Sequence, residues 1–340
     1  GTAPLQEASV RTHIRPLFSK NLQNSKNVVY LANHSLGRML DQTETDVLEA
    51  LRYWSMNGRD AWDHWLEEME SFRRQVASLL QAERADSIIP KTSAGQGLRA
   101  VLNCFDHPVN VITSADEFNS IDYILKAYAH RGRIGLTKVK PAANRPYQAD
   151  NFIKALEKGA DLIVLSMVLF TTGQLLNDLE ALVDAAHRQN TLVMLDLYHA
   201  AGVVPMDIAG LDIDFAIGGS YKYLRGGPGA AWLYIHPRHL NGTLRTLDTG
   251  WFAQPLAFAF SRPEQLEIAE GGNAFLESTP AILPFYQARA GLIFTLKLGV
   301  ERLRAYSLQQ QILIENLLRQ KNIPFLGETG ERGAFISIPH

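Results

Sequence analysis

The fold is decided by the stretch Thr191-Leu-Val-Met-Leu-Asp196-Leu-Tyr-His199, followed after a short connection by Asp214-Phe-Ala-Ile-Gly-Gly-Ser220-Tyr221-Lys222-Tyr223. The apolar run Leu192–Leu195 is continuous, as expected for a strand that is covered on both faces of a parallel sheet. An acid ends the first run and a lysine follows the second. Because ligands bind at the carboxyl ends of strands in such sheets, we expect Asp196 and Lys222 to share a site.

Short β-branched runs alternate with longer amphipathic stretches on both sides of this segment. The strand candidates are Val28–Leu31, Val109–Thr113, Ile134–Val139, Leu162–Ser166, Leu192–Asp196, Phe215–Gly218 and Ala231–Ile235. The helix candidates are Glu44–Met56, Ala61–Leu80, Gly95–Cys104, Ser120–His130, Ala149–Lys158 and Asp178–Gln189. This alternation predicts an α/β domain with a mostly parallel sheet sandwiched by helices.

The pattern changes after about Pro284. Phe285–Gln320 predicts a long helix bent near Gly299, and Gly333–Ile338 predicts a strand. We therefore predict three parts: an N-terminal segment over 1–30, a large ligand-binding domain over 31–283 and the start of a smaller α+β domain over 284–340. The first residue is not methionine and the last run lacks a strand neighbour, so we expect the small domain to be incomplete here.

Composition excludes several classes of protein. The chain is 46% hydrophobic and 20% charged with a net charge of −2, which gives no basic footprint for nucleic acid. No apolar run approaches the roughly 20 residues that a membrane helix needs, and the N-terminus lacks a signal-peptide pattern. The single cysteine, Cys104, excludes an internal disulfide, and the histidines show no metal-ligand spacing. We expect a cytoplasmic protein without a metal site.

The pairing of Asp196 with Lys222 indicates a site for pyridoxal 5′-phosphate (PLP). Burial lowers the pKa of a lysine, which frees its amine to bond with the cofactor aldehyde. A carboxylate keeps the pyridine nitrogen protonated, so that the ring accepts electrons. In the alternative interpretation, Asp196 caps a helix and Lys222 is a solvated lysine in a turn. For either residue alone, this alternative is favoured over a PLP site. For the two residues together with their flanking motifs, the PLP site is favoured.

A second segment, Pro90-Lys-Thr-Ser93-Ala94-Gly-Gln-Gly97, precedes a helix candidate. Small residues at a helix N-terminus present free N–H groups to a phosphate. The same segment is equally compatible with an ordinary helix cap by Thr92 or Ser93. Both interpretations stay open on this segment alone.

Taken together, these motifs resemble the kynureninases, which are class-V-like PLP enzymes of fold type I. The resemblance rests on Asp196-Leu-Tyr-His199, on Ser220-Tyr-Lys-Tyr223 with the following Gly226-Gly-Pro-Gly-Ala230, and on Gly250-Trp-Phe252. It extends from Leu31–Gly37 through Phe170–Gln174 to Ser278–Ile282 and so spans essentially the whole chain. It implies a PLP cofactor, a small-molecule amino-acid substrate and a homodimer with shared active sites.

The resemblance also implies cofactor-binding roles. Ser93 and Ala94 would hold the cofactor phosphate through their amides. Phe118 would stack on the pyridine ring, although a phenylalanine after a strand is more often a core residue. Ser166 would face the cofactor, whereas without the family a cap for the following turn is equally compatible.

Further roles follow from the same resemblance. His199 would lie beside Asp196 and support the cofactor, although a lone histidine there is equally compatible with the core. Tyr221 would bond the phosphate and relay protons. Trp251 and Thr279 would reach the phosphate from the neighbouring subunit.

Several positions depart from the family's pattern. His34 and Arg225 stand where the family more often has asparagine, and Ile121 stands where it has an acid. Thr279 occupies a position that some members use to sense the aryl ring of the substrate. The family's carboxylate-binding arginine lies in the C-terminal domain beyond His340, and we expect Arg332 to be a strand-entry residue instead.

The activity that the resemblance implies is hydrolysis of the Cβ–Cγ bond of L-kynurenine or 3-hydroxykynurenine, in the course of tryptophan catabolism. Its catalytic residues would be Lys222, Asp196 and Tyr221. One alternative is a class-V aminotransferase or a lyase acting on another amino acid, and another is a PLP-fold protein without catalysis. A cysteine desulfurase needs a cysteine nucleophile on a C-terminal loop. It is disfavoured here, because Cys104 lies instead near the end of the helix that follows the phosphate segment.

Overall fold

Seven strands form one sheet in the computed structural model, which describes residues 5–24, 27–141 and 145–339. Parts of the predicted N-terminal segment 1–30 (residues 1–4 and 25–26) lie outside the described residues. The strands are β1 Ile88–Lys91, β2 Val109–Ser114, β3 Ile134–Val139, β4 Leu162–Ser166, β5 Leu192–Asp196, β6 Phe215–Gly219 and β7 Ala231–Ile235.

The strand order is β1-β7-β6-β5-β4-β2-β3. β7 runs antiparallel to both β1 and β6, and the remaining neighbours are parallel. The predicted α/β fold with a mostly parallel sheet is therefore confirmed. All parallel strands end on one side of the molecule, which places the ends of β4 and β5 next to each other.

Helices pack on both faces of the sheet, and further helices lie outside these two layers. They are α1 Glu7–Ser9, α2 Ser19–Asn24, α3 Gln42–Asn57, α4 Ala61–Leu80, α5 Ala94–Leu102, α6 Asn119–His130, α7 Ala149–Leu156, α8 Leu179–His187, α9 Leu283–Leu298 and α10 Val300–Gln320. In the part of the chain that the structure describes, none is long and apolar enough to cross a membrane. Gly299 separates α9 from α10 with a φ of 84°, a conformation that favours glycine, so the predicted bend is confirmed.

The central strands are buried on both faces because their side chains alternate between two apolar layers. In β4, Ile163 and Leu165 pack in one layer with residues of α4, α7, α8 and α9. Leu162 and Val164 pack in the other layer with residues of α5 and α6. This explains why β4 appears in the sequence as a continuous apolar run.

Two predicted strands fail for a common reason, which is that a strand needs a neighbour, and one strand was not predicted. The predicted strand Val28–Leu31 forms none, and Val29 is 84% exposed. The predicted strand Gly333–Ile338 is also wrong: among the described residues it is held by single bonds such as Leu326 N to Ser337 O at 3.0 Å. Strand β1 was not predicted, because it contains Pro90. Proline is tolerated in this strand because β1 lies at the edge of the sheet.

Helix α9, which opens the predicted small domain, packs against α3 and α4 of the predicted large domain. The Arg289 guanidinium on α9 binds Asp46 and Glu49 of α3 and Glu68 of α4 at 3.4, 2.8 and 2.6 Å. The division of the chain after residue 283 stays a prediction.

Candidate active site

A cavity of about 340 Å³ opens where β4 and β5 end and where the chain leaves β6. Eight of the predicted site residues line it, namely Ser93, Ala94, Phe118, Ser166, Asp196, His199, Tyr221 and Lys222. The fold therefore brings together residues that lie as far apart in the chain as α5 and the β6–β7 connection. Trp251 and Thr279 do not line this cavity.

Lys222 lies in the tight connection between β6 and β7. Ser220 closes this loop, because its N and Oγ donate to Ala230 O at 2.9 and 2.8 Å and its carbonyl oxygen accepts from Gly226 N at 2.8 Å. The lysine is only 5% exposed. Burial lowers the pKa of Lys222 to about 8, against an opposing effect of the Asp196 charge. A sizeable fraction of neutral amine is therefore present near neutral pH.

The Leu31–Gly37 motif supports the backbone of the loop that carries this lysine. Gly37 N donates to Tyr221 O at 2.8 Å. A Cβ atom at Gly37 would lie 1.9 Å from Lys222 O, so a side chain at this position would displace the loop. This close approach explains a glycine at the end of the Leu31–Gly37 motif.

Asp196 ends β5, between Ser166 at the end of β4 and Ile217 of β6. Its Oδ1 accepts from Tyr198 N at 2.8 Å. Burial raises the pKa of Asp196 to about 6, and the Tyr198 amide and the Lys222 charge act in the opposite direction. A cation in the cavity would lower this pKa further. The carboxylate is therefore suited to hold a protonated ring nitrogen.

His199 contacts the lysine directly, with Nε2 2.5 Å from Lys222 Nζ. Burial lowers the pKa of His199 to about 3, and the nearby Lys222 charge lowers it as well, so the imidazole is neutral. Nε2 also lies 3.2 Å from His34 O. One nitrogen cannot accept from an ammonium and donate to a carbonyl at once. While Lys222 is protonated, Nε2 therefore accepts and the ring proton lies on Nδ1.

The other end of the cavity is formed by the N-terminus of α5. Ser93 Oγ accepts from Gln96 N at 3.2 Å, so the predicted helix cap is confirmed. Ala94 and Gly95 open the helix, and their N–H groups have no intrahelical acceptor. Capping by Ser93 leaves these amides free, so the predicted phosphate role is compatible with the cap and stays a prediction.

Aromatic rings line the walls between these two ends. The Phe118 ring centroid lies 5.3 Å from Lys222 Nζ, and Phe170 packs edge-on against Phe118 at 5.2 Å. The Tyr221 and Tyr198 rings lie 5.6 and 5.5 Å from the same nitrogen. Burial raises the pKa of Tyr221, and the Asp196 charge adds to this, so its hydroxyl stays protonated and able to donate.

Trp251 and Thr279 lie elsewhere in the chain's own fold. The Trp251 indole donates to Ala257 O and packs against Phe252 and Phe258, with centroid distances of 4.8 and 5.1 Å. Thr279 lines a separate cavity. Their predicted contact with the phosphate of a neighbouring subunit stays a prediction.

A second cavity of about 440 Å³ adjoins the first. Both share Phe118, Phe170, His199, Tyr221 and Lys222 as lining residues. The second cavity adds His34 and Phe335, whose rings lie 5.3 Å apart, together with Ser35, Ile336 and Ser337. Lys222 therefore lies between a cavity with a helix N-terminus and one with aromatic walls.

The departures from the family's pattern fall in different places. Ile121 is fully buried in the first cavity, and His34 lines the second. Arg225 lines neither. It adopts a φ of 60°, which asparagine tolerates better, and its guanidinium lies over the Phe294 ring at 5.1 Å. Burial lowers the pKa of Arg225 to about 10. Arg332 is buried and paired with Glu315 on α10, and it also lines neither cavity.

Sequence reasoning missed four residues of the site region: Glu117, Phe170, Tyr198 and Phe335. The first three belong to or adjoin motifs that were singled out, so position next to a motif residue was the available signal. No such signal existed for Phe335, because its place depends on how the segment after Arg332 folds.

The residues present fit PLP. A buried amine of lowered pKa, a buried carboxylate at a strand end and free helix amides match the aldehyde, the ring nitrogen and the phosphate of this cofactor.

Comparison with known proteins agrees with this fit. A family model described as Aminotransferase class-V matches residues 49–340. A kynureninase of Shouchella clausii (strain KSM-K16) is 30% identical over 341 residues, which cover 95% of this chain and 79% of that protein. A kynureninase of Bacillus thuringiensis subsp. konkukian (strain 97-27) is 31% identical with the same coverage of both chains.

Solved structures show the same fold. A C-DES mutant with glycine covalently linked to the PLP cofactor superposes with a TM-score of 0.84 at 21% identity, covering 96% of this chain and 86% of that one. An apo cysteine desulfurase from Thermococcus onnurineus NA1 gives 0.81 at 18% identity, covering 99% and 83%. With the family match over most of its length and kynureninases among its relatives, the chain belongs to the class-V aminotransferase family as a kynureninase-like, PLP-dependent enzyme.

Proposed function

We propose that this enzyme is a hydrolase that cleaves the Cβ–Cγ bond of L-kynurenine or 3-hydroxykynurenine. The products are L-alanine and anthranilate or 3-hydroxyanthranilate. The observation that carries the proposal is the aromatic-walled cavity beside Lys222, formed by Phe118, Phe170, Phe335 and His34. Its size and its rings suit a planar aryl group. The kynureninases among the relatives support the same substrate class.

The bound cofactor supplies an electron sink for negative charge that develops on the substrate. Lys222 acts as the base that moves the Cα proton, since its lowered pKa leaves neutral amine available. His199 holds that amine in place at 2.5 Å. Asp196 keeps the ring nitrogen protonated. Tyr221, protonated at neutral pH, assists addition of water to the γ-carbonyl before the C–C bond breaks.

The test is turnover of L-kynurenine, followed by anthranilate fluorescence. Lys222→Ala should abolish both the product and the absorbance of lysine-bound cofactor, and Lys126→Ala, at a 58% exposed side chain, should change neither. Turnover by Lys222→Ala at the wild-type rate would refute the assignment of the base. Absence of product from the wild-type holoenzyme would refute the substrate.

A class-V aminotransferase or a lyase for another amino acid is the second candidate, supported by the description of the matched family. Amino-group transfer from kynurenine to a keto acid without anthranilate would favour it. A desulfurase is not favoured by Cys104, which lines neither site cavity and whose pKa burial raises to about 12. Such a thiol is a poor nucleophile.

We further propose a homodimer in which Trp251 and Thr279 complete the partner's phosphate site. Large apolar side chains around Trp251 are exposed in the single chain, including Leu256 at 71% and Phe260 at 69%. Their burial against a second copy would remove this apolar surface from water.

Subunit mixing tests the shared site. Lys222→Ala and Trp251→Ala chains, each inactive alone, are mixed under conditions that exchange subunits. If Trp251 serves the partner, each hybrid dimer contains one intact site, and about one quarter of wild-type activity returns. If Trp251 serves its own chain, no hybrid site is intact and activity stays at zero, which would refute the shared site.

A further inference from the structure

A buried carboxyl lies next to the cofactor cavity without a role in the chemistry above. Glu117 precedes α6 and is 5% exposed. Its oxygens accept three hydrogen bonds: from Ser114 Oγ at 2.7 Å, from Ser166 N at 3.1 Å and from Ser166 Oγ at 2.5 Å. The carboxyl thus joins the ends of β2 and β4.

The charges around Glu117 are those of other acids. Asp196 acts on it from the end of β5, and the pKa of Tyr147, which precedes α7, is raised in part by Glu117. Asp116, its neighbour in the chain, accepts from Tyr147 Oη at 2.8 Å. No lysine, arginine or histidine in the described ranges forms an ion pair with Glu117. Burial raises the pKa of Glu117 to about 7, which the serine hydrogen bonds oppose and Asp196 reinforces.

Ser166 connects this carboxyl to the site. It pairs in register with Asp196 across β4 and β5, and it lines the cavity. Since its hydroxyl proton is directed to Glu117, the Ser166 oxygen faces the cavity side only as an acceptor. Three oxygen-bearing side chains therefore form a row along the strand ends, in the order Glu117, Ser166, Asp196.

We propose that Glu117 is a positioning residue for the cofactor. Its hydrogen bonds fix Ser166 beside Asp196, and its charge, when present, adds to that of Asp196 and stabilises protonated forms of the lysine-bound cofactor. The proposal concerns the cofactor only, so its test does not depend on which substrate the enzyme uses.

The test is a pH titration of the absorbance of the holoenzyme, without substrate. Glu117→Gln preserves the volume and removes the charge. Because a negative charge is lost from the low-dielectric site, the spectral midpoint should fall by about 0.5–1 pH unit. Asp116→Asn is the matched control: it removes the same charge from the same loop but has no contact with Ser166, and it should leave the midpoint unchanged.

Ser166→Ala provides the second variant. Loss of the hydroxyl removes a hydrogen bond that stabilises ionised Glu117, so Glu117 stays neutral to higher pH and the midpoint should again fall. In the Glu117→Gln background the same substitution should add nothing, because no ionisable carboxyl remains.

An unchanged midpoint in Glu117→Gln would overturn the proposal. So would a Ser166→Ala shift that persists in full in the double variant, since Ser166 would then act on the cofactor without Glu117. Should Glu117→Gln fail to fold, an unchanged midpoint in Ser166→Ala would still refute the role.

Discussion

The most direct consequence of the buried lysine is that capture of the cofactor should depend on pH in a distinctive way. Covalent capture requires a neutral amine. With a pKa of about 8 instead of the ordinary 10.5, Lys222 is neutral in a much larger share of molecules. At pH 7.4 this share is about 20%, against about 0.1% for an ordinary lysine, so capture should be about 200-fold faster than for an unperturbed amine of equal reactivity.

The assay is stopped-flow absorbance after mixing apoenzyme with PLP between pH 6 and 10.5. The capture rate should rise about tenfold per pH unit up to about pH 8 and level off above about pH 9. Asp196→Asn should move this bend to lower pH, since the Asp196 charge raises the pKa of Lys222. Lys126→Ala should leave the profile unchanged. A lysine derivative in solution, titrated in parallel, corrects for ionisation of PLP itself.

A rate that continues to climb without bending up to pH 10 would refute this reasoning. It would mean that burial does not perturb the Lys222 amine. A bend that Asp196→Asn shifts to higher pH would refute the sign of the electrostatic coupling between the two residues.

Three further outcomes are expected. Lys222→Met should stabilise the apoenzyme by about 2–3 kcal/mol at pH 7 in urea unfolding. The gain should fall as the pH rises from about 8 and disappear well above pH 10.5, where the amine is neutral in both the folded and unfolded states. An equal gain at pH 7 and at that high pH would contradict it. Gly219→Ala should lower the free energy of unfolding by about 1–3 kcal/mol, because the added Cβ would lie 1.9 Å from Tyr198 Oη. Wild-type stability of this variant would show that the Tyr198 ring moves aside without cost. Cys104 is partly exposed, but burial raises its pKa to about 12, so a thiol reagent should label it more slowly in the native protein than after unfolding. Equal labelling rates in the native and unfolded protein would contradict this.

The sheet was largely predictable because its strands are buried on both faces, which leaves continuous apolar runs such as Leu162–Leu165 in the sequence. Where the presence of a neighbouring strand decides whether a segment forms a strand, the sequence is ambiguous. Val28–Leu31 has strand composition but no neighbour, whereas Ile88–Lys91 contains a proline and is a strand because β7 lies beside it. The composition of a segment indicates its preference for extended structure, whereas the neighbouring strand that it needs is present only in the folded protein.

The site was predictable where polar residues follow buried strands, as with Asp196 and Lys222. Glu117 adjoins the predicted Phe118, but its role was not predictable, because that role arises from hydrogen bonds to Ser166, 49 positions away in the chain. The contact of His199 with Lys222 likewise exists only once β5 and β6 lie side by side. Roles that need a second subunit, as proposed for Trp251, are not contained in the geometry of one chain.

The antiparallel pairing of β1 with β7 has a consequence for the order of folding. β5, β6 and β7 follow one another closely in the chain, so the strand pairing that brings Asp196 and Lys222 together forms from contacts that are local in sequence. β1 and the start of α5 join these strands only when a very long loop closes. Closure is slow, because the chain loses conformational entropy before the stabilising contacts have formed. Refolding should therefore produce the lysine end of the site before the helix end, with the cofactor retained only after the edge strand has joined the sheet.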